Sequence, residues 1–170
     1  MQSFPATDAQ AFRRVLGHFC TGVTVITTSL HGDPAGFTCQ AFSTLSLDPP
    51  LVLFCVSTAS TTWPKIRDAG FFCVNVLAAG QEDLGRRFAR RGCRRFDGMV
   101  NAESPGGAPM ISGAAAWIDC TLEDRHEAGD HNIVIGKARH LSTDTAKEPL
   151  LFFRGEWATL GPLPDRAVGR

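Results

Sequence analysis

Residues 36–47 (GFTCQAFSTLSL) run for twelve positions without a charge and are dense in Gly, Ala and small hydroxyls. Small side chains let a ligand approach the main chain closely, so that N–H and C=O groups can read its edge. Thr38, Gln40, Ser43 and Thr44 add neutral donors and acceptors. Such a wall suits a flat, largely neutral ring with polar edges better than an ion or a polyanion.

A second cluster follows the short apolar run 51–56 (LVLFCV). Residues 57–62 (STASTT) carry five hydroxyls in six positions, and Trp63-Pro64-Lys65-Ile66-Arg67 opens a short helix. Thr61 or Thr62 is expected as the N-cap, Pro64 fits the first turn, and Gly70 is the expected stop. A helix N-terminus ringed by hydroxyls suits a phosphate. A ring-reading wall and a phosphate-reading turn within some thirty residues point to a phosphorylated aromatic cofactor, with flavin mononucleotide (FMN) the first candidate. Ser/Thr-rich strand ends, common in all-β proteins, would produce the same composition.

The tripeptide Gly129-Asp130-His131 sits at a strand-joining turn, where Gly and Asp are expected on conformational grounds alone. Its imidazole could meet the phosphate or amide edge of a nicotinamide cofactor; a turn histidine without a ligand is the competing reading. Arg86, Arg87, Arg90, Arg91, Arg94 and Arg95 fall within ten residues. A solvated helix face is the first reading of that run, dinucleotide phosphates the second and nucleic acid a distant third. No spacing suggests a Ser/His/Asp set, a metal cluster or paired carboxylates. A flavoprotein that moves hydride needs none of these, because the cofactor carries the chemistry while the protein orients and shields it. No protein side chain is therefore expected to be catalytic.

The elements that must position these groups read as mostly β. Residues 9–19 place Phe12, Val15, Leu16 and Phe19 on one helical face, with Asp8 as a cap. Strands are expected over 23–28, 35–40, 51–56, 71–77, 114–127 and 132–141, with turns at 30–34 and 128–130. Residues 81–91 make a short amphipathic helix with Leu84 and Phe88 inside, and 92–107 read as irregular. Residues 150–153 and 156–160 form one last strand bulged at Gly155. Many short strands with few helices indicate a barrel rather than a βαβ sheet, and no G-x-G-x-x-G follows a strand.

At 170 residues the chain reads as a single domain over 1–161 with a loose tail at 162–170, large enough to bury roughly 70 % of its unfolded surface. A net charge of zero gives no global field for nucleic acid or an anionic membrane. The N-terminus lacks the layout of a signal peptide and no apolar run is long enough to span a bilayer, so a soluble cytoplasmic protein is expected. The six cysteines (Cys20, Cys39, Cys55, Cys73, Cys93, Cys120) form no C-x-x-C pair and mostly lie in apolar runs. Reduced core thiols, rather than a metal or disulfide framework, are the expectation.

In order and spacing, these segments resemble the short-chain flavin reductase family, the split-barrel flavoproteins that supply reduced flavin to two-component monooxygenases. The resemblance is carried by FRRVLGHFCTGVTVITT, GFTCQAFSTLSLDPPLVLFCV, STASTTW, FFCVNVL, RRFDG, GDHNIVIG and LLFFRGEW. It is strongest to reductase components serving hydroxylation of phenolic rings, including steroid-derived phenols. It implies a mostly β Greek-key split β-barrel with a few short helices, a homodimer with flavin near the dimer interface, and hydride transfer from nicotinamide C4 to flavin N5. Reduced flavin would then diffuse to a partner flavin-dependent monooxygenase. Carried over by position, Phe37, Thr38, Cys39, Gln40 and Ala41 border the isoalloxazine edge, with Ser43 and Thr44 beside them. Ser57, Thr58, Thr62 and Trp63 hold the ribityl and phosphate, Phe96 lies near the flavin tail, and His131 contacts the nicotinamide nucleotide. Many relatives carry Ser where this chain has Cys39 or Gln40, which implies different hydrogen bonds at the ring edge. The resemblance leaves FMN or FAD, and NADH or NADPH, open. A non-catalytic flavin- or haem-binding split barrel, which would not need the Gly-Asp-His turn, is the alternative; an enzyme like pyridoxamine-phosphate oxidase, from which more basic residues around a substrate phosphate are expected, is a third, kept open by the arginine run.

Overall fold

The structure, a computed structural model, describes residues 3–90 and 96–161. In chain order the elements are α1 (Ala9–Leu16), β1 (Thr21–Gly22), β2 (Thr24–Leu30), β3 (Asp33–Cys39), β4 (Phe42–Leu47), β5 (Pro50–Ser57), α2 (Trp63–Ala69), β6 (Phe71–Val76), α3 (Glu82–Ala89), β7 (Val100–Glu103), β8 (Pro109–Ile111), β9 (Ala116–Ala128), β10 (His131–Thr143), β11 (Leu151–Phe153) and β12 (Glu156–Ala158).

Seven strands form one antiparallel sheet in the order β3-β2-β6-β9-β10-β5-β4. Strands β3 and β4 stand at opposite ends of that order, yet only Gln40 and Ala41 separate them in sequence. A two-residue link cannot cross a flat seven-stranded sheet, whose strands lie about 4.8 Å apart. The sheet must therefore curl until its two edges meet. Two contacts mark the closure: the Cys55 N–H donates to the Ala41 carbonyl at 2.9 Å, and the Cys39 thiol reaches the Cys55 carbonyl at 3.6 Å.

The core fills the curled sheet. Strand β5 alternates, with Val52, Phe54 and Val56 turned inward, and meets Val134, Phe72, Val74, Cys120, Ile26, Trp63 and Ile66. A second cluster (Val23, Val25, Leu77, Leu84, Phe88, Ile111, Leu150) lies on the other side of β2, under α3. Strand β2 is thus buried on both faces over Thr24–Thr28, which is why those five residues are all β-branched instead of alternating.

Several expectations are corrected. Residues 42–47 are not an open wall but strand β4, paired with β5. The last segment is a hairpin, β11 with β12, rather than one bulged strand: Arg154 (φ 54°) and Gly155 (φ 88°) reverse the chain. A short hairpin, β7 with β8, occupies part of the stretch read as irregular and the residues just beyond it. Helix α1 stops at Leu16, and its apolar face is not packed inward: Phe12 is 51 % exposed, Leu16 54 % and Phe19, just beyond it, 78 %. The five described cysteines are free, with Cys39, Cys73 and Cys120 buried as expected but Cys20 exposed. Cys93 and the expected tail at 162–170 lie outside the described residues.

Candidate functional site

The seam where the sheet closes holds a cavity of about 310 Å³. The end of β3 and its link to β4 (Phe37, Thr38, Cys39, Gln40, Ala41) make one wall; the end of β5 (Cys55, Val56, Ser57) with Ser60 makes the other, and His131 closes one end. His131 arrives there by register, opposite Ser57 on the β5–β10 ladder. The Thr58 N–H and hydroxyl both donate to the Asp130 carbonyl, at 2.9 and 3.1 Å, so the hydroxyl cluster and the Gly-Asp-His turn are tied together.

Of the residues expected here, Phe37, Thr38, Cys39, Gln40, Ala41, Ser57 and His131 line this one cavity, and Thr58 joins it through the Asp130 carbonyl. Ser43 and Thr44 do not line it; they are exposed on edge strand β4, with the Ser43 hydroxyl donating to the Thr44 carbonyl. Phe96 packs edge-on against Phe88 at 5.1 Å, close against Gly36 and outside the lining. Thr62 and Trp63 also correct the expectation. The Thr62 hydroxyl is buried and donates to the Gly36 carbonyl at 3.3 Å, and the Trp63 ring belongs to the core. Both side chains are engaged by the protein's own interior.

The N-terminus of α2 differs from the reading as well. Thr62 occupies the cap position without a side-chain bond, and Ser60 Oγ instead accepts the N–H groups of Thr62 and Trp63, each at 3.2 Å. A phosphate would have to displace Ser60 to reach those donors. Gly70 ends the helix as expected, at φ 76° with its N–H on the Ile66 carbonyl. Ser60→Ala is expected to cost about 1 kcal/mol, the usual loss for a missing cap. Urea denaturation checks this, and an unchanged midpoint would remove Ser60 from that role.

Electrostatically the cavity is close to neutral. Burial pushes the Cys39 thiol up to about 12, so at neutral pH it stays an S–H donor and is no nucleophile. The Thr38 hydroxyl is committed to the Gly85 carbonyl at 2.6 Å, which pins β3 to α3. His131 Nδ1 lies 2.7 Å from Asp130 Oδ1, and this hydrogen bond, with the imidazole's charge, holds the Asp130 carboxyl below its usual range. Hydroxyls, a neutral thiol, main chain and one imidazole fit a flat ring with polar edges, as the uncharged stretch suggested.

A wider groove of about 780 Å³ adjoins this cavity and shares Gln40 and His131 with it. Its other side is the open face of α1, with Phe12, Arg13, Leu16 and Phe19, joined by Thr21 and Phe152. Sequence reading missed this role because an amphipathic helix is ordinarily assigned to the core. It also missed Cys55, although period-two alternation sets Cys55 and Ser57 on one face of β5. Ser60 was hidden among five candidate hydroxyls. Of the arginine run, Arg86 stacks on Trp157 at 5.2 Å and Arg87 donates to the Asp97 carbonyl at 3.4 Å; Arg91, Arg94 and Arg95 lie outside the described residues.

Comparison with known proteins places this geometry among characterised folds. The pattern of the flavin reductase like domain matches residues 16–161. The chain is 48 % identical over 163 residues to the reductase subunit HsaB of a flavin-dependent monooxygenase from Rhodococcus jostii (strain RHA1), covering 96 % of this chain and 83 % of that protein. It is similar in structure to the NADH:FAD oxidoreductase SgcE6 of Streptomyces globisporus C-1027, solved in complex with NAD and FAD fragments (TM-score 0.91, 36 % identity, 97 % of this chain and 100 % of that one). It is also similar to nitrilotriacetate monooxygenase component B of Mycobacterium thermoresistibile (TM-score 0.87, 46 % identity, 96 % and 95 % covered). The split-barrel architecture expected from the sequence holds across these likenesses.

Proposed function

The chain belongs to the flavin reductase like domain family, and on that premise we propose that the cavity between β3, β5 and β10 is where it reduces flavin for a partner flavin-dependent monooxygenase. The observation that carries this reading is the lining itself: a neutral, hydroxyl- and main-chain-rich seam with one imidazole at its mouth. Bound flavin supplies the hydride-accepting ring, and the nicotinamide cofactor supplies the hydride.

The chain's own residues bind and orient. Thr38 is on edge strand β3, and its hydroxyl is occupied by α3, so its main chain is what remains to meet the ring edge. Gln40 and Ala41 extend that edge, with the neutral Cys39 thiol beside them. Ser57 and Thr58 face the ribityl side. His131, held by Asp130, meets the nicotinamide nucleotide where the cavity opens into the groove. Holding two rings face to face at near-attack distance contributes most of the rate gain in such a site, and no protein nucleophile is needed.

We place the active form as a homodimer in the cytoplasm. Support for the dimer comes from apolar side chains left open on the single chain, Leu47 at 93 % and Leu141 at 76 % exposure. Support for the compartment comes from the five free cysteines among the described residues. No helix among the described residues is long and apolar enough to cross a membrane.

The test is NADH and NADPH oxidation with FMN, FAD and riboflavin supplied in turn. Turnover should require added flavin and release it reduced. Turnover without flavin, or none with any pair, would sink the proposal.

A further inference from the structure

We propose that the cavity beneath the β7–β8 hairpin binds a small organic cation, an ammonium or amidinium carried on a single apolar ring. This does not rest on the reduction proposed above, and its test needs no flavin. The cavity shares no lining residue with the one proposed for flavin or with the α1 groove.

Register builds the site. Thr27 pairs with Cys73, Cys73 with Asp119 and Asp119 with His140, so one row of side chains crosses β2, β6, β9 and β10 on a single face. It is the face opposite to Phe72 and Val74, which fill the barrel. The hairpin roofs this row: the Thr27 hydroxyl donates to the Pro109 carbonyl at 2.6 Å, and the Ser104 hydroxyl donates to Asp119 Oδ1. Between row and roof lies a volume of about 240 Å³, just below the usual span for drug-sized ligands and enough for one ring with a short arm. Asp119 and His140 line it, together with Met110 and Trp117.

Asp119 sets the charge of the ligand. It is 5 % exposed, and among the described residues no Lys, Arg or His lies within ion-pair distance of it. The main chain packs closely on the carboxylate, since a Cβ at Gly106 would stand 2.8 Å from Oδ1 and 3.1 Å from Oδ2. Taking a carboxylate out of water without a counter-charge is costly, and a cation entering beside it offsets that cost. Holding the hairpin through Ser104 needs only an acceptor at 119, so the charge itself is left for a ligand. The Cys73 thiol, pushed up to about 12 by burial and then by the Asp119 charge, stays neutral and adds no second anion. The Trp117 N–H is spent on the Ile111 carbonyl at 3.0 Å, which leaves its ring surface for apolar groups or a cation. A metal ion fits less well, because among the described residues no three His, Cys, Asp or Glu side chains converge.

Titration calorimetry on the intact chain at about pH 8, above the ordinary imidazole range, would use benzylamine as the cation, with benzyl alcohol and benzoate as its neutral and anionic counterparts. The parent should bind benzylamine roughly tenfold or more tightly than benzyl alcohol, the worth of one charge-assisted contact, and should not bind benzoate measurably. Asp119→Asn keeps an acceptor for Ser104, and with it the hairpin, yet should weaken benzylamine roughly tenfold, to the level of benzyl alcohol. Trp117→Leu should weaken both ring probes. No benzylamine binding to the parent, equal binding of the charged and neutral probes, or undiminished binding by Asp119→Asn overturns the proposal. Where Asp119→Asn fails to fold, the preference of the parent for the charged probe and its weakening in Trp117→Leu decide.

Discussion

Gly136→Ala is expected to destabilise the chain by about 3 kcal/mol, at the upper end of what overpacking a core costs. A Cβ at position 136 would lie 2.2 Å from Phe72 Cζ and 2.9 Å from its Cε1, with Cys120 Cβ at 3.2 Å on another side. Phe72 has no room to retreat. It is fully buried, and its ring meets Phe54, equally buried, edge-on at 5.1 Å. The glycine is needed here for space, on strand β10 where a register shift lies between Ile135 and Gly136. For a chain of this size the loss corresponds to a fall in Tm of about 10 °C. Phe72→Leu should recover part of it in the double variant, and a double-mutant cycle measures that coupling. Equal stability of Gly136→Ala and the parent would show that the barrel closes less tightly here than described. The consequence reaches function, because the same strand delivers His131 to the cavity five residues earlier.

The second large effect is kinetic. His131→Ala should raise the apparent KM for the nicotinamide cofactor roughly tenfold, the worth of one hydrogen bond to a charged group, and leave that for flavin nearly unchanged. The asymmetry follows from placement: His131 stands where the cavity proposed for flavin opens into the α1 groove, with Ser57 opposite it on β5. Equal rises for both substrates would remove His131 from this role. Asp130 adds a pH dependence with a definite sign. Its carboxyl is held low in the folded chain by the His131 hydrogen bond. On the carboxylate side the contact is therefore present above the ordinary carboxylate range and is lost as pH falls through the lowered value. Both groups are well exposed, so salt should weaken the pairing. Asp130→Asn keeps the size of the group and removes its charge. It should reproduce part of the His131→Ala effect on the nicotinamide KM without lowering stability measurably.

Local chemistry made much of this protein legible in one dimension. The β-branched run of β2, the alternation of β5, Gly70 closing α2 and the Gly-Asp-His turn each follow from backbone preferences acting over a few residues. The uncharged stretch from Gly36 onward announced a neutral binding wall, because desolvating a charge beside a ring is costly and desolvating a hydroxyl with a partner is not.

Closure decided the rest. Which hydroxyls face a ligand and which serve the protein depends on contacts between residues far apart in sequence. Thr38 is taken by Gly85, Thr62 by the Gly36 carbonyl, and Trp63 by the core. Ser60 is the exception: its bonds to the Thr62 and Trp63 N–H groups are local, and composition alone did not single it out among five hydroxyls. The open face of α1 has the same origin, since a hydrophobic pattern specifies a face but not what that face meets. By itself, the order of residues determined most of the helices and long strands, the neutrality of the site and its turn histidine. The tertiary fold decided which side chains share the cavity, because a two-residue link between strands at opposite sheet edges forces the curl that brings β3, β5 and β10 to one seam.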